Sequence, residues 1–467
     1  LLIDGKTARL VLEEALRSGG DFADVFVERR RGYNLRMEEE RVEENMSGSE
    51  VGAGIRVIRG ETVSYAYTND LGRGSLLETA RVAAAASHGG GIRVIDLDKE
   101  WRNLPFLDEH PCELDADHYP REAKIDLLHR ANQAAREAGP HVVQVVVLLG
   151  DSRQEITVAN SLGEMVEDVR LRVRMVVQVV AARDGEIQTG HESPGILGGY
   201  ELFREYPPEE LGANAAEQAL TMLEAKPAPT GPMAVVIANG TGGVLFHEAC
   251  GHSLEADAVH KQASVFAGRI SEKVASPIVN AYDDPTLTNR WGSFNYDDEG
   301  IRALRTPLIE EGVLRGFIND RKRCMLDNVS PTGNGRRQSY RFVPIPRMTN
   351  TYIAPGSASP EEIMADSSLA LYARKLGGGE VNPVTGDFIF AVTEGYLIRG
   401  GKVAEAVKGA TLIGNGPRVL TDIDAVADDL DSDTGMCGKE GQAVPVSTGQ
   451  PTLRVREMVV GGTSEVI

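Results

Sequence analysis

The chain has 467 residues, 49 basic and 69 acidic, and a formal net charge of −20. That length allows two or three domains with ample core, and the acidic balance argues against a nucleic-acid surface and for a soluble cytoplasmic protein. Four cysteines without paired spacing exclude a disulfide framework and suit a reducing compartment.

In chain order, residues 7–18 read as a helix with Leu10, Val11, Ala15 and Leu16 on one side. Residues 24–30, 33–39, 51–58 and 62–67 read as antiparallel strands, with turns at Arg31-Gly32, Ser47-Gly48 and Arg59-Gly60. An Ala-rich helix over 76–88 stops at Gly89-Gly90-Gly91. Residues 92–118 read as irregular, and a long helix over 121–138 closes at Gly139-Pro140. Strands are expected over 141–150, over 153–159 and on through Ala182. The longest apolar run, Val142 to Leu149, is broken by Gln144 and falls short of the ~20 residues that span a bilayer, so no membrane segment is expected. No secretory signal is visible. The sequence starts at Leu1 and not at Met, which leaves a few upstream residues and a removed leader open.

Val169, Leu171, Val173 and Met175 alternate with Arg170, Arg172 and Arg174, the pattern of a strand with one buried and one wet face. A solvated face is the preferred reading of these arginines over a substrate patch. A helix over 209–224 precedes the clearest linker, Ala225-Lys226-Pro227-Ala228-Pro229-Thr230-Gly231. The expected organisation is an N-terminal domain over 1–224, a linker over 225–231 and a C-terminal domain over 232–467. In the second half, strands are expected over 233–238, 388–396, 403–406 and 453–460, and helices over 242–258 and 360–371. The expected fold is α+β. An N-terminal α/β domain with antiparallel strands and long helices leads to a glycine-rich, β-barrel-like C-terminal domain that carries a metal-binding helix.

The chemistry concentrates at His247-Glu248-Ala249-Cys250-Gly251-His252. Two histidines four apart share a helix face and can grip one zinc; here they are five apart. At about 100° per residue the rings would diverge by about 140°, so a regular helix cannot aim both at one ion. The spacing predicts a helix that bends or breaks near Gly251, where glycine can adopt conformations that other residues avoid. Glu248, beside a metal, can take the proton of a water that the metal has acidified and return it to a leaving amine. A catalytic zinc needs a third protein ligand. Cys437, flanked by Gly435 and Gly438 and followed by Lys439, which would favour its thiolate, is a candidate that spacing alone does not decide. Cys112, Cys250 and Cys324 read as inert thiols.

His247 to His252, Asp297-Asp298-Glu299-Gly300, Gly333-Asn334-Gly335-Arg336-Arg337, Pro346-Arg347-Met348-Thr349-Asn350 and Gly435-Met436-Cys437-Gly438 occur in one order. Together they resemble the TldD/PmbA peptidase family over essentially the whole chain. The resemblance implies zinc held by His247, His252 and Cys437, with Glu248 catalytic. It implies hydrolysis of unfolded or flexible peptides in an enclosed chamber, including maturation of modified peptide antibiotics. It also implies a dimer, formed with itself or with a metal-free subunit of the TldE/PmbA type; this chain keeps the metal motif.

The remaining motifs are weaker. Asp297-Asp298-Glu299 could hold a second metal, but a capped turn or charged loop is preferred, and Asp283-Asp284-Pro285 reads as a turn. Gly333 to Arg337 lacks the ending of a phosphate loop, so nucleotide binding is rejected. Arg336, Arg337 or Tyr340 could hold a peptide carboxylate or stabilise an oxyanion. His260 reads as an ordinary histidine. An edge strand in the second half could recognise peptides through main-chain pairing. Two rival functions stay open: a binding subunit with a structural metal, and a metal hydrolase of non-peptide amides.

Overall fold

The computed structural model describes residues 1–86, 101–382 and 384–465. The expected helix stop at Gly89-Gly90-Gly91 and the start of the irregular stretch lie outside them. The molecule is α+β, and no described helix is long and apolar enough to cross a membrane.

The first half is built on long strands: β1 (Phe22–Glu38), β2 (Arg41–Arg59), β3 (Thr62–Thr68), β4 (Val142–Asn160) and β5 (Glu164–Arg183). They lie in the order β3-β2-β1-β4-β5. The turns expected at Arg31-Gly32 and Ser47-Gly48 do not form. Gly32 pairs with Gly48 across β1 and β2, inside a ladder that keeps its register from Phe22–Ile58 to Arg36–Glu44, and β4 pairs with β1 along the same stretch. Pairing on both sides of β1 outweighs the local glycine signal. The hairpin turns instead at Glu39 and Glu40, both with positive φ (47° and 63°), the geometry that matches strand twist. The break expected between 150 and 153 is likewise absent, and β4 is continuous.

Helices α1 (Gly5–Ala15) and α2 (Arg73–Ala85) cover one end of this sheet. Helices α3 (Arg121–Glu137) and α4 (Pro208–Glu224) cover the other, packing Leu127, Leu128, Ala215 and Ala219 on Val173, Met175 and Val177 of β5.

The opposite face of β5 is not solvated. Arg170 and Arg172 are buried and Arg174 is half-buried, because residues 291–299 of the second half pack onto them. Arg170 binds Asp298 at 2.7 Å and donates to the Tyr296 carbonyl. Arg56 of β2 is buried between Asp24 and Glu299, the latter at 2.7 Å. The alternation that suggested one wet face marks a second, polar interface, in which Arg56 and Arg170 are paired with carboxylates across the halves.

The second half closes a barrel from five strands: β6 (Pro229–Ile237), β7 (Leu369–Val381), β8 (Asp387–Arg399), β9 (Thr411–Asn415) and, after β10 (Asp431–Lys439) and β11 (Gln442–Gln450), β12 (Leu453–Gly461). Around the ring, β7 pairs β6, β6 pairs β12, β12 pairs β9, β9 pairs β8 and β8 returns to β7. The expected linker is drawn into this sheet. Lys226–Pro227 pairs with Lys402–Lys408, and β6 begins at Pro229. The helix expected over 360–371 ends at Ala365 after a capping box of Ser359 and Glu362, and β7 begins at Leu369. Beside the barrel, a six-stranded sheet has β10 as its outermost strand, next to β11.

The motif Asp297-Asp298-Glu299 lies in the interface between the halves. Asp297 accepts from the backbone N–H groups of Glu299, Ile301 and Gly335. Burial, reinforced by the neighbouring Glu299 carboxylate, pushes its carboxyl up to about 8. The folded chain therefore holds this proton more tightly than the unfolded one. Its contribution is fully present below the ordinary carboxyl value near 3.8 and is lost as pH rises toward 8. The Tm of the wild type relative to that of Asp297→Asn should accordingly fall between pH 4 and pH 8, read by thermal melts across that range. A constant difference would show that Asp297 is not protonated in the fold.

Candidate metal centre

The metal motif follows β6. Helix α5 (Gly243–Ala249) carries His247 and Glu248, and it ends at Cys250, whose φ of −129° and ψ of −44° leave the helical range. A 3₁₀ turn (Gly251–Leu254) and α6 (Ala256–His260) follow. The single helix expected over 242–258 is thus three pieces, broken where the five-residue spacing requires. The reason for glycine at 251 differs from the expected one. Its backbone is not left-handed; a Cβ there would meet Met348 Sδ at 2.2 Å. Glycine serves a close approach, and Cys250 makes the break.

Cys437 arrives on β10. The β10–β11 hairpin turns at Glu440 and Gly441, with φ of 49° and 73°, and sets Cys437 opposite Val444. Arg347, fully buried, donates to the Cys437 carbonyl and to that of Gln442, which ties both strands of the hairpin at the site.

The three side chains converge. Cys437 Sγ lies 3.4 Å from His247 Nε2 and 3.5 Å from His252 Nε2. The three donor atoms all fall within 4.8 Å of one another, the one such group of His, Cys, Asp or Glu donors among the described residues. Zinc bonds of about 2.3 Å to sulfur and 2.0–2.1 Å to nitrogen, at a tetrahedral angle, would separate sulfur from nitrogen by about 3.6 Å. The two sulfur–nitrogen separations therefore match a zinc site. Glu248 stands beside it, 3.7 Å from His252 Nε2, and its side chain is 36 % exposed, so it is open to solvent.

Burial acts to raise the Cys437 thiol, but the two imidazoles, by charge and hydrogen bond, bring it down to about 4. A thiolate at neutral pH is the form that ligates metal. Burial likewise disfavours charge on His252, and the Glu255 carboxylate outweighs it and holds the imidazole well above its usual range.

Glu255, absent from the sequence reading, is the main addition. It is 1 % exposed, and its Oε2 lies 2.9 Å from His252 Nδ1 and 2.9 Å from Lys439 Nζ. Lys439 continues to Asp257 at 2.7 Å and to the Pro346 carbonyl. Burial opposes ionisation of Glu255, yet His252 and Lys439 bring its carboxyl down to about 2. A carboxylate on the far nitrogen orients an imidazole and sets its tautomer, leaving Nε2 for the site. Its spacing three residues after His252, on the same turn, was the available signal. Lys439 thus acts on Glu255 and Asp257, and the thiolate owes its low value to the imidazoles. His247 has no such partner among the described residues; its Nδ1 is buried without a hydrogen bond to any of them.

Other sequence candidates lie elsewhere. Arg336 donates to the carbonyls of Met348 and Pro445, and Arg337 to that of Asp298. Tyr340 is buried against Phe26, Ile156 and Val158. His260 pairs with Glu61 at the surface. The thiols of Cys112 and Cys324 are pushed up by burial, to about 11 and about 12, and that of Cys250 is also raised by burial.

Family models described as PmbA/TldA metallopeptidase domain 1, central domain and C-terminal domain match residues 23–87, 114–223 and 230–462. The Haemophilus influenzae protein named metalloprotease TldD homolog is 37 % identical over 95 % of this chain and 93 % of its own length. A Saccharolobus solfataricus relative named zinc metalloprotease TldD homolog is 33 % identical over 61 % of this chain and 64 % of its own. The crystal structure of TldE from Thermococcus kodakarensis superposes with a TM-score of 0.76 at 19 % identity, covering 98 % of this chain and all of that one. The broken metal helix, the barrel that carries it and these matches lead to one conclusion: the chain belongs to the PmbA/TldD metallopeptidase family.

Proposed function

We propose that the chain is a zinc-dependent peptidase of unfolded or flexible peptides, with His247, His252 and Cys437 as ligands and Glu248 as general base and then general acid. The observation that carries this reading is the spacing of the three donors, 3.4 and 3.5 Å about Cys437 Sγ. The name of the Saccharolobus solfataricus relative supports zinc over other divalent ions.

Zinc, when bound, supplies a Lewis acid that acidifies water and polarises the scissile carbonyl. Glu248 takes the proton of the attacking water and returns it to the departing amine. Its exposure and its place one residue after His247 give it reach without a role as ligand. Glu255 holds His252 in place, and the Lys439–Asp257 pair holds Glu255. The outermost position of β10, the strand that brings Cys437, supports recognition of peptide main chain by strand addition, which tolerates many sequences. The fold shared with TldE supports a dimer, with itself or with a TldE/PmbA-type subunit. Four free cysteines and a ligand thiolate suit the reducing cytoplasm.

Glu248→Gln should keep its zinc and lose about 10²–10⁴ in kcat on unfolded casein. Normal turnover in that variant would refute the mechanism, and turnover of small amides with none on casein would favour a non-peptide substrate. Glu255→Gln should bind zinc about 10–100-fold more weakly in a chelator competition; unchanged affinity would remove Glu255 from the support of the site.

A further inference from the structure

Arg172 and Arg174 project from one face of β5 onto Trp291, with guanidinium carbons 5.9 and 5.8 Å from the ring centre. Arg172 is 6 % exposed and donates from Nε and Nη2 to the carbonyls of Trp291 and Ser293. Arg174 donates to Ser193 Oγ and the Thr434 carbonyl. Arg336, 3 % exposed, donates to two further carbonyls. Unlike Arg56 and Arg170, none of these three forms an ion pair with a carboxylate among the described residues. Carbonyl and hydroxyl oxygens accept only part of their N–H groups, Arg174 Nε is buried without a hydrogen-bond partner, and the carboxylates that act on them, Asp433 on Arg174 and Asp298 on Arg336, stand beyond ion-pair distance, an arrangement that is unfavourable inside a protein.

Two cavities meet at this cluster. One of about 590 Å³ is lined by Arg172, Arg174 and Trp291, with Arg30 and the carboxylates of Glu44, Glu50 and Asp151 also on its wall. A smaller one of about 80 Å³ shares Arg30, Ser152, Arg172 and Trp291 and adds Arg336, Met436 and Asp298, whose carboxylate pairs with Arg170. The unbalanced guanidinium groups therefore line open space. Met436 precedes Cys437, so the smaller cavity reaches the strand that supplies the metal ligand. Burial and the neighbouring Arg170, Arg336 and Arg30 hold the Arg172 guanidinium below its usual range, the expected state of a cation site without its anion.

We propose that Arg172, Arg174 and Arg336 form a binding site for a carboxylate of the peptide substrate. Guanidinium groups match a planar carboxylate in bidentate fashion. The Trp291 and Met436 walls suit a peptide, and the net charge of −20 disfavours polyanions. The proposal rests on the peptidase reading above. The carboxylate belongs either to the peptide C-terminus or to an acidic side chain, and one experiment separates the two.

Full-length Glu248→Gln protein, which binds without turning over, is titrated by calorimetry with an unstructured octapeptide containing one Glu. The same titration uses the peptide with its C-terminus amidated, with Glu replaced by Gln, and with both changes. Removing the recognised carboxylate should weaken binding about tenfold or more, and Arg174→Gln in the same background should erase the difference. Loss on amidation assigns the terminal carboxylate; loss on Glu→Gln assigns the side chain. Equal affinity for all four peptides overturns the proposal, as does a carboxylate preference that survives Arg174→Gln. Arg174 is half-buried, so its variant serves as the test where Arg172→Gln fails to fold. Carboxylate-selective binding by a chain whose wild type hydrolyses no peptide would sink the peptidase reading and leave this site standing.

Discussion

A buried thiolate between two imidazoles is the interaction around which the rest of the site is arranged. Cys437 is 3 % exposed, where an anion is costly unless paired. The imidazoles that stabilise it come from a helix broken at Cys250, about 190 residues earlier in the chain. Each supporting feature addresses that junction. The hairpin turn at Glu440-Gly441 sets the register of β10, Arg347 ties its backbone, and Gly251 lets Met348 press against the break. The Glu255–Lys439 pair links the helix side to the strand side, because Lys439 leaves β10 two residues after Cys437.

The same logic of paired and unpaired charge organises the interface between the two halves. Arg56 and Arg170 meet carboxylates there, so their burial is compensated within the chain. Arg172, Arg174 and Arg336 hydrogen-bond to carbonyls and a hydroxyl and lie over the rings of Trp291 and Phe294, with no ion pair to a carboxylate among the described residues. The contrast within one interface distinguishes structural arginines from those placed to receive a ligand, and it does so beside the strand that bears Cys437.

How much of this was legible depended on how local each signal was. His247, Glu248 and His252 are contiguous, and their five-residue spacing already required a broken helix. Cys437 stood out through its glycines, yet spacing could not bring it to the histidines, since only the fold closes so long a loop. Glu255 was readable as a second carboxylate one turn after His252, but its value depends on burial and on Lys439. The arginines of β5 were misread because alternation reports that a strand has two faces and not what covers the second. Gly32 and Gly48 were misread as turns because pairing on both sides of β1 is a long-range fact. The strand and helix runs at 121–138, 209–224, 388–396 and 453–460 were well placed, since their periodicity is carried by their own residues.

The central claim is that Cys437 completes a metal centre with His247 and His252. Elemental analysis of wild type and Cys437→Ala, purified identically, tests it most directly. The account predicts about one zinc per chain in the wild type, lost or sharply reduced in the variant. Equal zinc in both would remove Cys437 from the site and contradict the account.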